Sequence, residues 1–248
     1  MSIVRRSVAE GLGTALLLTT VIGSGIMGES LAGGNIAIAL LANTLATGAA
    51  LIALILTFGP ISGAHFNPVV TLADAARGDI SWRDAQAYIL AQILGAFTGV
   101  VVAHLMFAEP VFSISHHVRA GVAQVFSESV ATFGLLSVIC GVSRSRKEAV
   151  AFAVGAYITA AYWFTASTSF ANPAVTLART VSDTFAGIRP SDAPGFILAQ
   201  LIGATAATAL FRWLLSPSSS QVPTLDDTVA QSTPLTKARD VGLIDDRK

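Results

Sequence analysis

Two tripeptides, Asn67-Pro68-Val69 and Asn172-Pro173-Ala174, carry the clearest chemical signal in this chain of 248 residues. Asparagine is a favoured helix N-cap, and proline at the first helical position forfeits no hydrogen bond. The residues that follow, Val69-Val70-Thr71-Leu72-Ala73 and Ala174-Val175-Thr176-Leu177-Ala178, match almost position for position and can form a short helix. A carboxamide at a helix tip offers two N–H donors and a carbonyl acceptor. Its chemistry is hydrogen bonding to a neutral solute, not bond breaking. One such tripeptide would be an ordinary cap, whereas two with matching flanks suggest a paired site.

Other reactive side chains are scarce. Cys140 is the sole cysteine, which excludes an intramolecular disulfide and a cysteine-based zinc site. The four histidines include one adjacent pair, His116-His117, beside Arg119, which reads as a solvated loop. No nucleophile–base pair is evident, so neither an enzyme nor a metal or cofactor site is expected. His104 lies in an apolar run and reads as a packed, hydrogen-bonded core histidine. His65 adjoins the first tripeptide and is expected to line a vestibule, with pH gating as a second possibility. Glu10 and Glu128 also lie in apolar runs, where an ionisable residue is by default a functional candidate.

The elements that must position these residues follow from composition. Charged residues make up 12% and hydrophobic residues 53% of the chain, with 15 Lys+Arg balancing 15 Asp+Glu. The mean hydropathy is +0.66. An average soluble domain carries about 25% charged residues. The composition excludes a nucleic-acid binder and a disordered protein, and points to an all-α integral membrane protein. Crossing the hydrocarbon takes about 20 apolar residues. Six stretches qualify, near 8–27, 36–58, 85–107, 122–142, 149–166 and 195–215. The two tripeptide segments between the second and third and between the fifth and sixth stretches are too apolar for solvated loops and too short to span. Each reads as a re-entrant half-helix, which is tolerated at membrane depth where it is buried in protein or lines a wet cavity.

Seven positive residues (Arg5, Arg6, Arg77, Arg83, Arg144, Arg146, Lys147) fall on one side of this arrangement and three (Arg119, Arg179, Arg189) on the other. The bias places both termini in the cytoplasm and the chain in the inner (plasma) membrane. Residues 217–248 turn rich in Ser, Thr, Asp and Pro, and a disordered cytoplasmic tail is expected after a channel domain spanning 1–216. The chain also repeats itself. Glu10 and Glu128 sit in similar contexts, and Tyr88-Ile-Leu-Ala-Gln92-Ile-Leu-Gly95 resembles Phe196-Ile-Leu-Ala-Gln200-Leu-Ile-Gly203. With three spans in each half, about 8–107 and 120–215, the second half enters from the opposite face, giving an inverted 3+3 repeat. The half-helices then meet near the midplane at Asn67 and Asn172.

Ser62-Gly-Ala-His65-Phe-Asn67-Pro68-Val69-Val-Thr71, the second tripeptide and the paired glutamates together resemble the aquaporins and aquaglyceroporins of the major intrinsic protein family. The resemblance spans roughly residues 8–215, with Val69 standing where alanine is usual. It implies six spanning helices plus two half-helices, a pore in each subunit and a homotetramer. It also implies that Glu10 and Glu128 accept hydrogen bonds from the re-entrant backbone. By offset from the motifs, the outer constriction falls on Thr47, Ala160, Ser169 and Val175. The family's usual residue at the last of these positions is arginine. Four small uncharged residues imply a wide filter, and some bacterial members lacking that arginine are associated with arsenic handling. Arg179, one turn beyond Val175, is either a vestibule cation or a surface charge near the lipid headgroups.

Two functions from different classes remain open at this level. One is a passive channel for small uncharged solutes: metalloid acids such as arsenite, methylated arsenicals, polyols and water, with plain water or glycerol conduction as the alternative. The other is an ion-coupled transporter using Glu10 and Glu128. The expected partners are the solutes, the bilayer and further copies of the chain.

Overall fold

Uninterrupted apolar runs have no competitor to the helix in hydrocarbon, because each backbone N–H and C=O must be satisfied within the segment. The computed structural model describes residues 1–216, and the expected tail at 217–248 lies outside the described residues. The described chain forms α1 (Ile3–Leu31), α2 (Ile36–Ser62), α3 (Pro68–Arg77), α4 (Trp82–Met106), α5 (Val122–Ser145), α6 (Val150–Phe164), α7 (Pro173–Ala178) and α8 (Ala193–Leu214). Caps set several starts: the Asn35 side chain accepts from the Ala37 and Ile38 amides, and Ser81 accepts from Asp84. The left-handed Gly63 and Gly78 end α2 and α3.

Among the described residues five helices, α1, α2, α4, α5 and α8, are long and apolar enough to cross a membrane. The remaining expected span, 149–166, is shorter than the sequence suggests. It consists of the 15-residue α6 preceded by a 3₁₀ turn at Lys147–Ala149. At about 1.5 and 2.0 Å per residue the two cover about 28 Å, close to the hydrocarbon thickness of about 30 Å. The helix stops because Thr165 turns extended and the chain doubles back into the protein.

The two halves pack alike. Helix α1 packs on α4 as α5 packs on α8, and α2 meets α6 between the halves. Small residues permit the first two crossings. A Cβ on Gly95 would strike the Gly11 carbonyl, and one on Gly203 would strike the Ser129 carbonyl. Each half-helix touches both long partners: α3 lies against α4 and α8, and so does α7. Met1–Leu214 thus form one compact unit in which the half-helices join the repeats. Leu90, Leu94, Leu198 and Ile202 point outward and exposed, as a lipid-facing surface requires.

Candidate functional site

The site begins with strained backbone. In each re-entrant segment the residues three and one before the asparagine are left-handed, although none is glycine. Ala64 and Phe66 have φ of 52° and 50°, and Ser169 and Ala171 have 49° and 46°. Such a conformation costs about 1–2 kcal/mol per residue. Buried carboxylates hold it. Glu10 accepts the His65 and Phe66 amides at 3.0 and 2.7 Å, the Ser62 hydroxyl at 2.6 Å and the Gln92 amide at 2.8 Å. Glu128 accepts the Phe170 and Ala171 amides at 2.8 and 2.9 Å and the Gln200 amide at 2.6 Å. Each glutamine also donates to the half-helix threonine, Gln92 to Thr71 and Gln200 to Thr176, both at 2.9 Å.

This framework brings the two asparagines together, 105 positions apart in the chain. Asn67 Nδ2 donates to the Ala171 carbonyl and Asn172 Nδ2 to the Phe66 carbonyl, each at 2.8 Å. Their Oδ1 atoms cap their own half-helices, accepting from Val69 and from Ala174 and Val175. A carboxamide nitrogen carries two hydrogens. One of each pair is thus committed to the opposite segment. Pro68, Val69, Pro173 and Ala174 are buried behind these tips.

Thr47, Ser169 and Val175 are also buried, and Ser169 Oγ makes no hydrogen bond within the protein. Ala160 differs from these three. It is exposed, on a stripe with Phe152, Ala156 and Trp163. The inward face of α6 carries Val154, Ile158, Ala161 and Tyr162 instead, and the Tyr162 hydroxyl lies 3.4 Å from Thr47 Oγ1. The offset from the motif counts along the chain without fixing how α6 is rotated. Tyr162 is the α6 residue whose side chain reaches Thr47, a contact the sequence did not indicate. The face of an apolar helix gives no polar contrast from which to find it.

Arg179 is buried with its guanidinium 3.4 Å from the centre of the Phe170 ring and its Nε donating to the Ala186 carbonyl. It is not a surface charge. Arg119, expected in a solvated loop, also turns inward, toward the second re-entrant segment. Loops close over this end. Ser113 and Ser115 donate backbone hydrogen bonds to Val181 and Thr180, and the buried His104 joins Ser182 at 2.8 Å and the Val111 carbonyl at 3.1 Å. His116 is exposed and pairs with Asp183. Hydrogen bonds from the His116 backbone and ring hold the Asp183 carboxyl below its usual range. Partial burial, with Arg119 nearby, lowers His117.

At the other end, His65 is fixed rather than free. Its Nδ1 lies 3.0 Å from Thr71 Oγ1 and its Nε2 3.0 Å from Asp74, which also pairs with Arg77. No cluster of three or more His, Cys, Asp or Glu able to hold a metal occurs among the described residues.

The sequence profile described as Major intrinsic protein matches residues 1–149 and again 144–241. The chain is 56% identical over 214 residues to Aquaglyceroporin AqpS of Rhizobium meliloti (strain 1021), covering 86% of this chain and 91% of that protein. It is 40% identical over 116 residues to Aquaporin NIP1-1 of Zea mays, covering 45% and 41% respectively. The solved aquaglyceroporin from Plasmodium falciparum superposes with a TM-score of 0.65 at 20% identity, covering 86% of this chain and 95% of that one, a likeness of fold.

Proposed function

Because this chain belongs to the major intrinsic protein family of membrane channels, we propose that it is a passive pore for small uncharged solutes: water, polyols such as glycerol, and metalloid acids such as arsenite. The reciprocal pairing of Asn67 and Asn172 carries this reading, since it leaves one N–H on each side for a permeant oxygen and offers no titrating group at the meeting point. The half-helix N-termini add positive potential there, up to about half a charge each, which disfavours cations. Glu10 and Glu128 are saturated by backbone and amide donors, which supports a structural role over ion coupling. The working unit is a homotetramer in the inner membrane with cytoplasmic termini.

The outer constriction in this reading comprises Thr47, Tyr162, Ser169 and Val175. Valine at 175 removes the fixed cation usual in the family, and a neutral trihydroxide such as arsenite or a methylated arsenical meets hydroxyls on one side and an apolar wall on the other. Tyr162 favours a narrower second reading, conduction of glycerol and water without metalloids, because its ring takes space that Ala160 would have left open.

Proteoliposome swelling tests both. Water, glycerol and arsenite should each equilibrate downhill without any ion gradient. Uphill accumulation driven by a proton or sodium gradient would refute the pore, and arsenite exclusion beside normal glycerol flux would select the narrower reading. Tyr162→Ala should raise glycerol and arsenite flux several-fold relative to water, whereas Ala160→Leu, on the exposed stripe, should leave the ratios unchanged. The reverse pattern would restore Ala160 to the filter.

A further inference from the structure

The missing cation at position 175 has a counterpart in the surrounding loops. Arg119, from the segment between α4 and α5, donates from Nε to the Gly187 carbonyl at 2.7 Å. Its terminal nitrogens reach the Ser167 carbonyl at 3.4 Å, the Thr168 hydroxyl at 3.3 Å and the Phe185 carbonyl at 3.4 Å. Its Cζ lies 5.1 Å from the centre of the Phe170 ring, the ring on which Arg179 also stacks. Two guanidiniums thus converge on Phe170, the residue next to Ser169 and two before Asn172. Ring faces attract cations, which offsets some of their mutual repulsion.

Every side-chain contact of Arg119 is to a neutral oxygen or the ring, and among the described residues neither arginine forms an ion pair. The acids nearby are already engaged. Asp192 accepts the Arg119 backbone amide and pairs with Arg189, and Glu128 is filled by Phe170, Ala171 and Gln200. Guanidinium stays protonated at any relevant pH. Glu128, whose donors are all neutral, keeps its own charge and offsets part of theirs, so two guanidiniums against one carboxylate leave a net positive field over the adjoining passage.

We propose that Arg119, together with Arg179, excludes cations at the outer end of the pore, acting from behind the wall in place of an arginine at position 175. This rests on the channel reading above. Arg119 also braces Ser167 and Thr168, the latter left-handed at φ 61°, so its charge and its geometric role must be separated.

The test is potassium leak measured against glycerol swelling in the same proteoliposomes. The ratio of leak to swelling should rise roughly tenfold in Arg119→Gln and stay near wild type in Arg119→Lys, which keeps the charge. A second pair leaves Arg119 in place. Thr168→Asp sets a carboxylate against it and should raise the ratio, while Thr168→Asn, equally tolerant of the left-handed backbone, should not. A wild-type ratio in Arg119→Gln and Thr168→Asp overturns the proposal, as does an equal rise in Thr168→Asn, which would assign the effect to loop geometry. Wild-type vesicles passing neither water nor glycerol would instead refute the channel itself.

Discussion

Val175→Arg should cut glycerol and arsenite flux by on the order of tenfold or more while water flux persists. A tenfold loss needs only about 1.4 kcal/mol of added barrier. The side chain at 175 is buried three residues after Asn172, where its backbone amide is already held by the Asn172 cap. In the proposed constriction a guanidinium there takes up space and adds a hydrated charge that a triol cannot pass without shedding its own water. Water is small enough to slip by and loses less. Val175→Leu separates volume from charge, since it adds bulk without a cation, and should lower triol flux less than arginine does. Stopped-flow swelling of all three proteins with each solute reads the outcome. Equal arsenite flux through wild type and the arginine variant would show that position 175 does not set selectivity.

Glu128→Ala should largely abolish recovery of folded channel. It strands the Phe170 and Ala171 amides and the Gln200 carboxamide, which now meet the carboxylate at 2.6–2.9 Å. Each stranded buried donor costs about 1–3 kcal/mol, so about 3–9 kcal/mol in all, against a usual total stability of about 5–15 kcal/mol. The loss also releases the left-handed Ser169 and Ala171 that the carboxylate holds in place. Glu128→Gln keeps one acceptor oxygen but turns an N–H toward other N–H groups, and should be intermediate. The measure is the monodisperse fraction after detergent extraction, with the melting midpoint of what remains. Glu10, with four donors, should behave alike. Glu128→Gln that folds as wild type yet loses a gradient-driven flux would instead make the carboxylate an ion-coupling group.

Much of this molecule is legible in its residues. The doubled Asn-Pro segments, the glutamates and the Gln92/Gln200 and Gly95/Gly203 pairs occur at matching places in the two halves, and the structure joins them in the same way in each. Local chemistry suffices there: an asparagine caps, a proline starts a helix, a glycine admits a crossing backbone. The apolar runs fix where helices form, though not that the span near 149–166 is the shorter α6.

What only the tertiary structure decided is rotation and reach. The sequence places Ala160 and Tyr162 on the same helix, but both of its faces are apolar, one for lipid and one for protein, so no contrast says which turns inward. Contact with Thr47 on α2 settles it for Tyr162. Arg119 and Arg179 look in sequence like charges at a membrane surface. They fold inward because carbonyls of the 167–187 region and the Phe170 ring are brought to them by packing between segments roughly 50–70 positions apart in the Arg119 case. A long side chain takes its partners from whatever the fold sets beside it, and that is information no local pattern of residues contains.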